Sequence, residues 1–227
     1  MKISKLFLIL PVFFSFKNFA QKNYYQMKNG KILTEEQYNK AKENASKNGR
    51  LEELILKSEK KNDSIVNVVR IAIITKDDKG NYFDPFSEPK KMLGKHFPIE
   101  IFKNKKKVKF ASNYLKGKPT FINFWFTHCV PCIDEIPLLN SVKEKYGEKV
   151  NFISITFEDK KAVDEFLKKK EINFEHITDS KNQLDKLKFS SFPTNLILDK
   201  EGNVKFVFGE VSDSEVDLSL IIDELLK

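Results

Sequence analysis

Cys129 and Cys132, the two cysteines of this 227-residue chain, lie three positions apart in Trp125-Phe126-Thr127-His128-Cys129-Val130-Pro131-Cys132. Thiols at that spacing meet across one helical turn and can close, open and re-close a disulfide. A bond spanning so short a loop restricts the unfolded chain little, so the pair is badly placed to act as a staple. Half a zinc site would need a second ligand pair, and His96, His128 and His176 are the only histidines to offer. Haem attachment would need a histidine after Cys132, where Ile133 stands. A peroxidatic cysteine would have a threonine three places before it, where Phe126 stands. Thiol–disulfide exchange is the chemistry that fits, with an inert structural bond as its alternative.

The elements around the pair decide how reactive it is. Thr120 to Trp125 is an almost wholly apolar run, the pattern of a strand buried on both faces. Cys132 to Tyr146 reads as a helix with Pro137 inside it. Cys129 therefore falls where a strand gives way to a helix, and unpaired amides and the helix dipole there favour a thiolate. Pro131 suits a first helical turn because its missing N–H costs nothing there. Strands follow over 150–157, 174–177, 194–198 and 204–208, and helices over 160–170, 181–187 and 213–226. A hairpin is expected over 97–110, with the lysine run 103–107 at its tip. Strands alternating with helices, then a terminal hairpin and helix, predict an α/β fold: a central mixed sheet flanked by helices, as in thioredoxin-like proteins.

The string Asn123-Phe124-Trp125-x-x-x-Cys129-x-Pro131-Cys132-x-x-Glu135-x-Pro137 resembles the TlpA/ResA group of exported thioredoxin-like reductases, over roughly residues 96–227. The resemblance implies a helix-kinking role for Pro137 and a cis-proline loop at Phe192-Pro193-Thr194 facing the redox pair. It implies that Asn123 replaces the buried aspartate of cytosolic thioredoxins, and that Glu135 lies near the cysteines and passes protons. Cys129, Cys132 and Glu135 are thus the expected catalytic residues. Trp125, His128, Pro131, Phe192 and Pro193 are expected to line the place where substrate lies. His128 stands next to Cys129, where an imidazole would help stabilise the thiolate.

Residues 21–95 are lysine- and asparagine-rich and read as a small N-terminal α+β region with a linker, of unassigned role. Thr34-Glu35-Glu36-Gln37 has the form of a capping box, opening a helix that ends before Asn48-Gly49. Strands are expected over 51–56 and 65–75. The region holds neither cysteine nor histidine. Residues 1–20 join Lys2 and Lys5 to an apolar run, Leu6 to Phe16, and a cleavage point after Ala20, which matches a secretory signal peptide. Export to the periplasm or cell envelope follows.

The net charge of +8 is carried by lysines scattered along the chain, with two arginines, which argues for a solvated surface and against nucleic acid. The expected function is an exported thiol–disulfide oxidoreductase acting as a disulfide reductase on a protein client. No cofactor or metal is needed, but a re-reducing partner is, expected in the membrane. The alternatives are a net thiol oxidase, or a partner-binding module with a structural or vestigial disulfide.

Overall fold

The computed structural model describes residues 21–104, 106–211 and 215–227. The proposed signal peptide, residues 1–20, lies outside the described residues.

The chain begins with β1 (Lys22–Gln26), β2 (Ile32–Thr34), α1 (Glu35–Ser46), β3 (Arg50–Lys61) and β4 (Ser64–Ile74). These strands form one sheet in the order β2-β1-β4-β3, with β1 parallel to β4 and the other pairs antiparallel. The capping box forms as expected. Gln37 donates its amide to Thr34 Oγ1 at 3.3 Å, and Thr34 donates its own to Gln37 Oε1 at 3.0 Å. The β3–β4 hairpin is longer than the apolar pattern suggests. Its charged end, Lys57 to Lys61, has no alternation to reveal it, yet it pairs with Ser64 to Val68 across the turn. The register slips at Leu56, whose side chain is buried.

A linker with the short helix α2 (Ser87–Lys90) leads to a 3-10 turn over Ile99–Ile101. The hairpin expected over 97–110 forms only in its inner part, from Phe102 onward. Pro98 opens that 3-10 turn, and beyond it the bridge Lys103 to Lys109 joins the two arms, flanked by the Asn104 amide on the Val108 carbonyl at 2.8 Å and the Phe110 amide on the Phe102 carbonyl at 3.3 Å. The Asn104 carboxamide accepts the amides of Lys106 and Val108 and closes the lysine loop locally. Phe97, Ile99, Phe102 and Phe110 supplied the apolar alternation, and all four are buried beneath the main sheet.

That sheet is built from β5 (Thr120–Phe124), β6 (Asn151–Ile155), β7 (Glu175–Ile177), β8 (Thr194–Leu198) and β9 (Val204–Phe208). Its order is β7-β6-β5-β8-β9, with β5, β6 and β7 parallel and β8 antiparallel to both β5 and β9. Helices α3 (Val130–Asp134), α4 (Ile136–Tyr146), α5 (Lys160–Leu167), α6 (Lys181–Leu187) and α7 (Glu215–Leu225) complete a thioredoxin-like fold. Every residue of β5 is buried, because the strand feeds two cores. Phe121 packs into one with Leu139, Val142 and Ile222, and Ile122 and Phe124 into the other with Ile153 and Leu196. Leu56 of β3 belongs to the first core, with Leu54 and Val68 packed against it. The N-terminal sheet is thereby joined to the main one.

Candidate redox site

Past the end of β5 the backbone stays attached to the sheet through the Trp125 amide, bonded to the Ile155 carbonyl at 3.1 Å. Four residues later Cys129 caps α3 with extended backbone angles, and Pro131 occupies the first turn. Helix therefore starts at Val130, earlier than the pattern indicates. Cys129 and Cys132 are joined by a disulfide, and both sulfur-bearing residues are buried, at 4% and 2% exposure. The Cys132 amide donates to Cys129 Sγ at 3.3 Å. An amide aimed at one sulfur favours the thiolate there once the bond is reduced, so the two sulfurs are not equivalent.

The helix expected over 132–146 is broken in two. Pro137 has no N–H to give to the Ile133 carbonyl, and Glu135, at the joint, is both the last cap of α3 and the first of α4. The joint turns Glu135 inward, where it is 3% exposed. Its Oε1 accepts from Asn123 Nδ2 at 2.7 Å, and its Oε2 from the Val211 amide at 2.9 Å and Asn195 Nδ2 at 3.2 Å. Burial pushes its carboxyl up to about 7, against the pull of these donors, and repulsion from Glu210 adds to the rise. A carboxyl half-ionised near neutral pH, one turn beyond Cys132, is suited to taking and returning a proton.

The residues expected to line the substrate site take up different placements. His128 is at the surface, with 88% of its side chain exposed. Phe192, half-buried, precedes the buried Pro193 across a cis peptide bond. Pro131 is partly exposed beside Val130, which is 66% exposed. Trp125 is a correction. At 1% exposure its ring packs on Phe166 at 5.2 Å, inside the core. It continues the side-chain alternation of β5, on the face of Phe121 and Asn123, and lies in the same core as Cys129 and Cys132.

Several residues at the site went unread in the sequence. Asn195 pairs in register with Asn123 and shares its hydrogen bond; a polar residue in the apolar run Thr194 to Leu198 was its signal. Glu158, just beyond β6, accepts both the amide and the hydroxyl of Thr127, at 2.7 and 2.8 Å. Thr127 Oγ1 also lies 2.8 Å from His128 Nδ1. Phe126, Phe157 and Phe192 form a mutual ring cluster, with centroids 5.5 to 5.7 Å apart. Phe192 was expected beside Pro193, but Phe126 and Phe157, far from it in the sequence, carried no signal.

The Redoxin family profile matches residues 79–221, more than half of the chain. The chain belongs to the Redoxin family. Within that family it is a TlpA/ResA-like, thioredoxin-fold protein. The thiol-disulfide oxidoreductase ResA of Bacillus cereus (strain ZK / E33L) is 31% identical over 137 residues, 58% of this chain and 79% of that protein. The ResA of Bacillus subtilis (strain 168) is 35% identical over 117 residues, 50% of this chain and 64% of that protein. A solved thiol:disulfide interchange protein of Chlorobium tepidum TLS is 26% identical with a TM-score of 0.45, covering 54% of this chain and 90% of that one. Family membership and the Cys129–Cys132 bond make this Redoxin-family chain a thioredoxin-like thiol–disulfide oxidoreductase, acting on thiol or disulfide substrates.

Proposed function

We propose that the chain is an exported disulfide reductase in which Cys129 is the nucleophile, Cys132 the resolving thiol and Glu135 the proton carrier. The observation that carries this reading is the Cys132 amide directed at Cys129 Sγ, with the buried Glu135 carboxyl one turn further on.

In the reduced enzyme the Cys129 thiolate attacks one sulfur of a client disulfide. A mixed disulfide forms and the client's other sulfur leaves as a thiolate. The Cys132 thiol then gives its proton to ionised Glu135 and attacks Cys129 Sγ, expelling the second client thiolate. The client has gained two electrons, Cys129 and Cys132 are again bonded, and Glu135 passes its proton on to a departing thiolate. The sulfurs need no cofactor. A thiol donor, expected in the membrane, must return the two electrons.

Phe192, Pro193, His128 and Pro131 supply the surface against which an extended client segment lies. The reductive direction and the export rest on the resemblance to the TlpA/ResA group and on the secretory pattern of residues 1–20. Among the described residues no helix is long and apolar enough to cross a membrane. The test is turnover of insulin disulfides with dithiothreitol as donor: Cys129→Ser abolishes it. Undiminished turnover by that variant sinks the reading.

A further inference from the structure

Asn195 of β8 is fully buried and commits its whole carboxamide to the Glu135 site. Its Nδ2 donates to Glu135 Oε2 at 3.2 Å and to the Gly209 carbonyl at 2.8 Å, while its Oδ1 accepts from Asn123 Nδ2 at 2.8 Å. The same Glu135 oxygen accepts the Val211 amide at 2.9 Å. Residues 209–211 thus form a strap held from the inside by Asn195 and Glu135.

The outside of the strap is held as well. A Cβ on Gly209 would meet the Phe86 ring at 2.6 Å, so that ring lies directly on the strap's backbone. The Phe86 amide donates to Asp84 Oδ1 at 2.9 Å, and Asp84 pairs with Lys90 at 2.9 Å and with Arg50 at 3.8 Å. Lys90 also pairs with Glu52 of β3. A continuous set of contacts therefore runs from the N-terminal sheet, through Phe86 and Gly209, to Glu135.

A carboxylate in apolar surroundings is governed by the donors aimed at it. Two of the three donors on Glu135, Asn195 Nδ2 and the Val211 amide, depend on where the strap lies. The elements packed around Glu135 offer few competing charges. Asn123 and Asn195 from the sheet are neutral, α3 brings the cysteine pair, and Glu210 of the strap is the charge that acts on it.

We propose that Asn195 is a positioning residue for the redox reaction, and that Phe86, resting on Gly209, makes the N-terminal region a buttress of the same device. The inference rests on the proton-carrying role of Glu135 proposed above. It gives residues 21–95 a task that needs no catalytic side chain: to hold the strap whose amide faces Glu135.

The experiment follows the Glu135 titration by carboxyl-carbon NMR and the reduction potential of the Cys129–Cys132 couple against pH, both on the full chain. The wild type is expected to show a break in potential near neutral pH that Glu135→Gln removes. Asn195→Leu deletes one donor and moves the Glu135 titration upward by about one pH unit. Gly209→Ala, whose methyl cannot coexist with the Phe86 ring where it stands, moves it the same way. Adding Phe86→Leu to Gly209→Ala removes the clash and returns the titration toward wild type. If Glu135→Gln leaves the break in place, the proton-carrying role itself is wrong. If Glu135→Gln removes the break but neither Asn195→Leu nor Gly209→Ala moves the titration, the positioning inference alone is overturned. Should Asn195→Leu fail to fold, judged by its melting curve, Gly209→Ala and its Phe86→Leu rescue decide.

Discussion

Glu158 holds Thr127 by both of that residue's donors, amide and hydroxyl, two positions before Cys129. The carboxylate is largely sheltered, and it ties the segment entering α3 to the end of β6. Glu158→Gln keeps the shape but replaces a charge-assisted acceptor with a neutral one and offers a donor where none is wanted. The expected cost is about 1–2 kcal/mol, a fall in melting temperature of about 2–8 °C. Calorimetry on the oxidised protein measures it, and an unchanged melting temperature contradicts the clamp.

The raised carboxyl of Glu135 makes stability depend on pH in a definite direction. The folded state holds the proton up to about 7, whereas the ordinary value is 4.5. Its contribution is therefore complete below pH 4.5 and is lost as pH rises through 7, an effect of about 3 kcal/mol. Denaturant unfolding at a series of pH values is expected to show this decline in the wild type and a flatter curve in Glu135→Gln. Parallel curves count against a buried, protonated Glu135.

Cys132→Ser leaves Cys129 free to attack but removes the group that resolves the adduct. A client peptide with an internal disulfide is expected to accumulate as a mixed disulfide on Cys129, visible by intact mass and released by dithiothreitol. Turnover falls by at least about 100-fold. Absence of the adduct, or its appearance on Cys129→Ser instead, reverses the assigned roles.

Leu56 of β3 is 3% exposed within the core that also holds Ile221 and Ile222. Leu56→Ala is expected to cost about 2–4 kcal/mol and to destabilise both sheets together, in one unfolding transition. Two separable transitions, with the main sheet unaffected, show instead that the N-terminal sheet folds as an independent unit.

What the sequence made legible was local. The Cys129–Cys132 spacing, the Thr34–Gln37 cap, the buried run of β5 and the one-turn offset of Glu135 are each decided within a few residues. What it concealed depends on contacts between distant segments. Lys22 to Gln26 is too polar to announce itself, and becomes a strand between two partners, β2 antiparallel and β4 parallel. The arms of 97–110 have strand-like alternation, but Phe97 and Phe102 use it to fill a core. Trp125 lies next to the site in sequence and beneath it in space. Asn195, 63 residues beyond Cys132 in the numbering, reaches the site through the pairing of β8 with β5.

The near-complete burial of both cysteines carries a consequence for what can reach the disulfide. Exposures of 4% and 2% leave a narrow opening beside the exposed Val130, so a thiol reacts there according to how closely its sulfur can approach. The bond is a recessed contact, met end-on by one approaching sulfur at a time.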